Sequence, residues 1–282
     1  MNPISDNRID RKVRELKARG QKAFVAYITA GDPNPETTPE LVWALERAGA
    51  DIVELGVPFS DTLADGVVNQ LSAQRALEAG TTTPRVLEIL QAVRKQSQIP
   101  IVLYTYFNLV YAYGIERFCL HAHQSGADGL LVLDLPPEES EGASGVGSRL
   151  GDGSLRRISL VAPTTPADRM AKIIEKASGF VYYVSREGVT GMQEHVAGSI
   201  GNRIDLIRKH TTLPICVGFG ISTPEQARTV AQQADGAVVG SVLVNRIAEW
   251  GAEKDLPQKL EAFARPLAQA IHTEFVMYPG PA

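Results

Sequence analysis

Residues 48–57 read Ala48-Gly-Ala-Asp-Ile-Val-Glu-Leu-Gly-Val57, and they contain the end of one predicted helix and a complete predicted strand. Gly49 fits the left-handed position that often stops a helix. The apolar, β-branched run that follows it has the length of a buried strand. Related joins occur at Ser125-Gly-Ala-Asp128 and Gln233-Ala-Asp-Gly236, each before another apolar run. The repetition predicts that a helix-then-strand unit recurs along the chain.

Eight short apolar runs alternate with amphipathic stretches, and near-continuous apolar runs are typical of parallel strands covered on both faces. Eight repeats predict a single (β/α)8 TIM barrel domain over residues 1–282, with an extra N-terminal helix, Ile9–Leu16, packed under the barrel. A doubly wound open sheet is the alternative, but no GxGxxG follows the first strand. The predicted strands are Phe24–Thr29, Ile52–Val57, Ile101–Tyr106, Gly129–Asp134, Ile158–Ala162, Phe180–Ser185, Ile215–Gly218 and Ala237–Val239. Helical patterns between them include Glu36–Ala48, Thr83–Lys95, Ile115–Gln124, Pro166–Ala177 and Pro224–Gln233.

Residues 140–153 interrupt this alternation with the glycine-rich stretch Ser140-Glu-Gly-Ala-Ser-Gly-Val-Gly-Ser-Arg-Leu-Gly-Asp-Gly153. The stretch stands where the fourth helix of the barrel belongs, and each glycine costs a helix about 1 kcal/mol relative to alanine. We therefore expect this helix to be short, frayed or absent. A linker between two domains is the other interpretation, but strands and helices continue to alternate on both sides.

The composition is that of a globular protein, with 282 residues, 44% hydrophobic, 21% charged and a net charge of -4. No block of Lys or Arg favours nucleic-acid binding, and no apolar run has the length needed to span a bilayer. The charged segment Asn2–Gly20 lacks the apolar region of a secretion signal. The two distant cysteines, Cys119 and Cys216, favour neither a disulfide framework nor a zinc site, so we expect a reducing, cytoplasmic location.

Glu54 lies in the middle of the second predicted strand. A buried carboxylate is costly unless it is paired, protonated or used in chemistry. Alternation along the strand directs the apolar Val53 and Leu55 toward the helices and Glu54 into the barrel. Active sites of such barrels lie at the carboxyl ends of the strands, so Glu54 is a candidate for proton transfer. The alternative is a structural carboxylate paired with an interior Lys or Arg, but we find no basic residue inside the predicted strands.

Two more acids, Asp61 and Asp65, lie on the loop that directly follows this strand. Pro, Asp, Ser and Gly are common in any such loop, so either acid alone would be interpreted as a solvated or capping residue. Their position directly after the strand of Glu54 makes them candidates for the same site.

Glycine-rich segments follow the sixth, seventh and eighth predicted strands, at Gly188-Val-Thr-Gly191, Gly218-Phe-Gly-Ile-Ser222 and Gly240-Ser241. Glycines let an anion approach backbone N–H groups closely, and helix N-termini favour negative charge. Loops after the seventh and eighth strands bind phosphate in many of these barrels. No Lys lies at the expected contact point, so we predict a phosphate site made of backbone dipoles.

The five histidines have no partners at metal-ligand spacing, and we interpret them as surface or packing residues, with no metal site expected. Aromatic residues at the predicted barrel mouth are more often core residues than ligand contacts, although a flat aromatic substrate would need such a pocket. These aromatic residues are Tyr27, Tyr104, Tyr106 and Tyr182.

Together these motifs resemble the tryptophan synthase alpha chain family. The fingerprint of that family, L-G-x-P-x-S-D-P-x-A-D-G-P, is matched by Leu55-Gly-Val-Pro-Phe-Ser-Asp-Thr-Leu-Ala-Asp-Gly-Val67. The resemblance extends from about Phe24 to Ile247, and its motifs fall in order at the expected strand ends. The further matches are Thr29-Ala-Gly-Asp-Pro33, Tyr106-Phe-Asn-Leu-Val110, Asp134-Leu-Pro136, Ser185-Arg-Glu-Gly-Val-Thr-Gly191 and Gly218-Phe-Gly-Ile-Ser222.

The resemblance implies a lyase of tryptophan biosynthesis that cleaves indole-3-glycerol phosphate to indole and glyceraldehyde 3-phosphate in a retro-aldol-type step. Glu54 matches the group that protonates indole C3 and accepts the proton of the side-chain hydroxyl. Asp65 matches a carboxylate that accepts a hydrogen bond from the indole N–H. The implied indole pocket is Tyr27, Tyr106, Leu133 and Tyr182, and the implied phosphate ligands are Gly191, Phe219, Gly220, Gly240 and Ser241.

The resemblance also implies a partner, the tryptophan synthase beta chain, in an alpha2beta2 heterotetramer. Pyridoxal phosphate is expected on the beta chain and no cofactor on this chain. Asp61 matches a loop residue involved in communication with the partner. Thr190 matches a residue whose hydroxyl meets the catalytic loop when that loop closes.

We call the loop Pro58–Gly66, which carries Asp61 and Asp65, the acid loop. Thr62 in this loop and Val67 directly after it replace prolines of the family fingerprint. Without proline the backbone φ angle is less restricted, so we expect the empty loop to be more mobile and Asp65 to be less preorganised.

Two other functions fit the sequence. One is another phosphate-binding barrel, such as an isomerase or epimerase of sugar phosphates, although the strand ends lack a catalytic Lys or a metal-binding His set. The other is a catalytically weak alpha-like chain that mainly binds and activates a beta chain, which the two proline replacements favour because loop preorganisation affects rate.

Overall fold

The computed structural model describes residues 7–136, 139, 154–185, 193–218 and 220–273. The glycine-rich segment 140–153 lies outside the described residues. The strands are β1 (Ala23–Thr29), β2 (Ile52–Gly56), β3 (Ile101–Thr105), β4 (Gly129–Val132), β5 (Arg156–Arg157), β6 (Ser159–Val161), β7 (Val181–Val184), β8 (Ile215–Gly218) and β9 (Gly236–Val239). The helices are α1 (Arg8–Ala18), α2 (Thr38–Ala48), α3 (Val67–Glu78), α4 (Thr83–Arg94), α5 (Phe107–Tyr113), α6 (Ile115–Ser125), α7 (Ala167–Glu175), α8 (Gln193–Arg208), α9 (Pro224–Ala231), α10 (Ser241–Trp250) and α11 (Leu256–His272).

The strands form one parallel sheet in the order β5-β4-β3-β2-β1-β9-β8-β7-β6. Only Ile158 separates the two edge strands, β5 and β6. The N–H group of Ile158 donates to the carbonyl oxygen of Leu130 on β4 at 2.9 Å, while β6 pairs with β7. The two short strands therefore act as one barrel strand, and the sheet closes on itself as the predicted (β/α)8 barrel.

Alternate residues along each strand separate the barrel interior from the layer beneath the helices. The interior cluster includes Val25, Ile52, Val102 and Val238, whereas neighbours such as Val53 pack in the outer layer. Two fully or almost fully buried residues of α1, Ile9 and Leu16, belong to the interior cluster. The expectation that the extra N-terminal helix packs under the barrel is confirmed.

An ionic contact fixes α1 to the barrel. Arg156 of β5, which is buried, donates through Nε to Asp10 Oδ2 at 2.9 Å. The predicted fifth strand, Ile158–Ala162, contains no basic residue, but the observed sheet begins two residues earlier and includes Arg156 and Arg157. Arg156 pairs with α1 at the amino end of the barrel, and the described contacts give it no bond to Glu54.

The repeated joins have a common structural role. Gly49 and Gly126 adopt φ angles of 109° and 100°, as predicted for left-handed helix stops. The aspartate of each join then accepts a backbone N–H from the first part of another strand. Asp51 accepts from Phe24, Asp128 from Ile101 and Asp235 from Ile215, at 2.9, 2.9 and 3.0 Å. These bonds tie the amino ends of the strands together. Among the described residues, no helix is both long and apolar enough to cross a membrane.

Candidate active site

Glu54 points into the barrel, as its strand alternation predicts. It pairs in register with Tyr27 on β1, whose ring packs against Tyr104, and with Val102 on β3, which belongs to the interior cluster. Only 1% of the residue is exposed, and its Oε1 atom has no hydrogen-bond partner. Burial raises the pKa of the carboxyl group to about 8, because the charged form is desolvated without a compensating cation. A carboxyl group that stays protonated near neutral pH can act as a general acid.

Two glycines make room for tyrosine rings beside this acid. A Cβ atom on Gly56 would lie 2.5 Å from the hydroxyl of Tyr27, and one on Gly218 would lie 2.3 Å from the hydroxyl of Tyr182. Burial, with a smaller contribution from the charge of Glu54, raises the pKa of Tyr182 well above its ordinary value. Burial also raises the pKa of Tyr27, so both phenols stay neutral beside Glu54.

Asp65 is held at the barrel mouth by two phenols from β3 and its end. Tyr104 donates to Asp65 Oδ1 and Tyr106 donates to Asp65 Oδ2, each at 2.7 Å. The ring of Phe59 lies 5.3 Å from that of Tyr106, and the ring of Tyr104 lies 4.9 Å from that of Tyr27. The mouth thus combines a buried carboxyl group, a second carboxylate and several aromatic rings.

The predicted anion cradle is only partly within the described residues. Gly220 follows β8 with a φ angle of 61°, and the space where a Cβ would stand is open. Gly240 follows β9 and immediately precedes α10, whose first residue is the exposed Ser241. The first N–H groups of a helix lack intrahelical partners and favour anions. Thr190, Gly191 and Phe219 lie outside the described residues.

This geometry can be compared with known proteins. A family model described as "Tryptophan synthase alpha chain" matches residues 13–272. The tryptophan synthase alpha chain of Opitutus terrae is 51% identical over 92% of this chain and 96% of its own length. The crystal structure of tryptophan synthase subunit alpha from Legionella pneumophila is 40% identical, with a TM-score of 0.86 over 95% of this chain and 99% of that one. A chain of tryptophan synthase from M. tuberculosis, in an aminoacrylate-bound form, is 29% identical, with a TM-score of 0.82 over 95% and 100%.

This chain belongs to the tryptophan synthase alpha chain family. The alpha chain is a lyase that cleaves indole-3-glycerol phosphate to indole and glyceraldehyde 3-phosphate in tryptophan biosynthesis. The family pairs with a beta subunit.

The alpha-chain fold brings most of the described candidate residues to one end of the barrel. Tyr27, Glu54 and Tyr182 belong to the interior, and Leu133 packs against the same cluster from the end of β4. Asp61 is exposed on the acid loop, away from the buried residues.

One contact of this alpha-chain site was missed in the sequence, although its residue was noticed. The sequence places Tyr104 among the aromatic residues of the mouth but does not predict its hydrogen bond to Asp65. Strand alternation does place Tyr104 on the interior face with Val102. The missing information was how closely the acid loop approaches β3, which no local pattern reports.

Proposed function

We propose that this chain cleaves indole-3-glycerol phosphate with Glu54 as the acid and base. Protonated Glu54 gives its proton to indole C3, which turns the ring into an electron sink. The resulting carboxylate takes the proton of the adjacent hydroxyl as the carbon–carbon bond breaks. The electrons of that bond return to the ring, so indole and an aldehyde form and Glu54 ends protonated. The observation that carries this proposal is the buried, unpaired carboxyl group with its raised pKa.

Asp65 is proposed to accept a hydrogen bond from the indole N–H. Protonation at C3 places positive charge on the ring nitrogen, and a fixed carboxylate stabilises that charge most in the transition state. Its two phenol contacts hold the carboxylate at the mouth in a defined orientation. The indole ring would lie among the flat side chains of this mouth, namely Tyr27, Tyr106, Leu133 and Tyr182.

The phosphate group is proposed to bind at the loops after β8 and β9. The positive φ angle of Gly220 and the start of α10 after Gly240 support this placement, because both present backbone N–H groups without bulky side chains. The proposed ligands are Gly191, Phe219, Gly220, Gly240 and Ser241, with Thr190 as the residue that meets the closed acid loop.

A beta chain is proposed to dock beside the mouth, in an alpha2beta2 assembly. Leu63 of the acid loop is 85% exposed, and Val67 and Leu71, one turn apart on α3, are 69% and 49% exposed. Such an exposed apolar patch is typical of a protein interface, and the neighbouring Asp61 is proposed to transmit the state of the site.

Pyridoxal phosphate belongs to the beta chain in this proposal, since none of the buried charged residues described here is a Lys that could form a Schiff base. Cys119 and Cys216, both within the described residues, are not joined in a disulfide, which fits a cytoplasmic location.

The activity is tested by incubating the pure chain with indole-3-glycerol phosphate and measuring indole, with and without a beta chain. Glu54→Gln should lower kcat by at least about 100-fold, because it removes both proton transfers. Glu40→Gln on the exposed face of α2 is the control. Retention of activity in Glu54→Gln would overturn the proposed role, and activation of a beta chain by an inert alpha chain would support the weak-enzyme alternative.

The docking face is tested separately by Leu63→Asp, measured by sedimentation with a beta chain. A charge at a desolvated contact should weaken the complex by roughly 10-fold or more. Leu120→Asp is the matched control, since Leu120 is also exposed, at 54%, but lies on α6. Equal effects of the two changes would contradict docking at the acid loop.

A further inference from the structure

We propose that Tyr104 is a positioning residue that orients Asp65 for the reaction proposed above, acting as one half of a two-phenol clamp. The clamp consists of Tyr104 and Tyr106. Each phenol donates to a different oxygen of the Asp65 carboxylate, both at 2.7 Å. Two donors on two oxygens fix the rotation of the carboxylate plane, which a single bond would leave free.

The clamp acts on a loop that has little other support. Asp65 closes a turn in which its N–H donates to the carbonyl oxygen of Thr62 at 3.0 Å. Gln70 spans the same turn, with Nε2 donating to the carbonyl oxygens of Thr62 and Asp65 at 3.3 and 3.0 Å. The N–H of Ala64 donates to the hydroxyl of Tyr106 at 3.2 Å. The described side-chain bonds from the barrel to this loop thus come from the clamp.

The clamp compensates for the loss of backbone rigidity in this loop. Thr62 and Val67 leave φ less restricted than proline would at the two positions where the family fingerprint has proline. Tyr104, by contrast, is on a rigid strand. Its backbone pairs in register with Gly56, and its ring packs edge-on against Tyr27 at 4.9 Å. The rigidity that the two prolines would give is supplied instead by Tyr104 of β3 and by Tyr106, which directly follows that strand.

The chemistry of the clamp is compatible with substrate binding. Burial and the neighbouring Asp65 raise the pKa of Tyr104 well above its ordinary value, so its phenol remains a hydrogen-bond donor. Each carboxylate oxygen can accept more than one hydrogen bond. Asp65 can therefore accept the indole N–H while both tyrosine bonds persist, and it does not have to reorganise as charge develops on the ring.

The test is Tyr104→Phe, assayed with indole-3-glycerol phosphate in parallel with the parent chain. Loss of a charge-assisted bond that acts in the transition state should lower kcat by roughly 10- to 100-fold, with KM changed by less than about threefold. Tyr113→Phe is the matched control, because its phenol bonds to His121 at 2.8 Å instead. An unchanged kcat in Tyr104→Phe would overturn the proposal.

A double-mutant cycle separates positioning from a general structural effect. In an Asp65→Asn background, Tyr104→Phe should lower kcat by no more than about twofold, because the carboxylate that Tyr104 positions is absent. If the Asp65→Asn variant is too slow to assay, the cycle instead uses a substrate methylated at the indole nitrogen, because this substrate cannot donate a hydrogen bond to Asp65. An equal loss with and without Asp65 overturns the proposal even where the parent chain is active. Failure of the proposed function would instead appear as an inactive parent or as full activity in Glu54→Gln.

Discussion

At the scale of single residues, the proposed catalytic role of Glu54 and its effect on stability have one physical cause. That cause is the burial of the carboxyl group without a cation, which the fold tolerates at a cost in free energy. The unfolded chain would expose the same group, with its ordinary pKa of 4.5. Folding thus favours the protonated form, and the free energy of unfolding depends on pH through this one residue.

The sign of that dependence follows from proton counting. Between pH 4.5 and about 8 the folded protein keeps a proton that the unfolded chain has released. The free energy of unfolding should fall across this range by at most about 1.4 kcal/mol per pH unit from this group, and stay level outside it. Glu54→Gln removes the effect, so its stability relative to the parent should rise by on the order of 3 kcal/mol from pH 5 to pH 8.

Urea unfolding at pH 5, 6, 7 and 8 measures this difference. Glu40→Gln makes the same chemical change at an exposed position and should leave the pH dependence of the parent in place. Parallel stability curves for Glu54→Gln and the parent would show that position 54 does not titrate in this range.

At the scale of elements, α3 is attached to the barrel by an ion pair between a half-buried arginine and a buried aspartate. Arg75 donates to both oxygens of Asp32, at 2.8 and 2.7 Å, and Asp32 is only 1% exposed. Asp32 lies in the loop after β1, whereas Arg75 lies on the helix that follows the acid loop. The pair therefore fixes one end of the segment that carries Asp65.

Arg75→Ala should destabilise the fold by about 2–4 kcal/mol, because it leaves a buried carboxylate without its partner. Burial already raises the pKa of Asp32, so the damage should be smaller at acidic pH, where protonation removes the uncompensated charge. Arg85→Ala is the control. It loses two exposed pairs, with Glu36 and Glu88, and should cost less than about 1 kcal/mol in chemical denaturation. Equal losses of stability in Arg75→Ala and Arg85→Ala would mean that the burial of Asp32 adds nothing to the cost of losing its partner.

The elements themselves were largely predictable from the sequence. The predicted strands, and the helices named with them, end within two residues of the observed ones, since apolar periodicity and glycine stops are local signals. The aspartates of the joins were recognised as a pattern, but their role was not. Asp51 and Asp128 bond to strands 27 residues earlier, and only the pairing of neighbouring strands brings those groups together. The clamp on Asp65 escaped prediction for the same reason.

At the scale of the whole molecule, the closed barrel depends on α1 for its base. Ile9 is fully buried in the interior cluster, and the neighbouring Asp10 pairs with Arg156. The helix is thus part of the barrel core. That residues 1–282 form one domain stays a prediction, because the termini lie outside the described residues.

Ile9→Ala should reduce the free energy of unfolding by about 2–5 kcal/mol, from lost burial and the cavity that remains. Arg11→Ala, an exposed change on the same helix, should alter it by less than about 0.5 kcal/mol. Thermal and urea unfolding of both variants would check the difference. A stability for Ile9→Ala equal to that of the parent would mean that the barrel closes without this side chain.

Helix α1 packs into the interior cluster at the amino end of the barrel. In the proposed function, substrate reaches Glu54 from the opposite end, at the rim where the strands end, and the products leave past the same rim. Asp65 and the two tyrosines bonded to it lie at this rim. Hydrogen bonds strong enough to orient the Asp65 carboxylate would also slow the movement of the acid loop. The turnover rate then depends on a balance between the orientation of Asp65 and the rate at which indole is released.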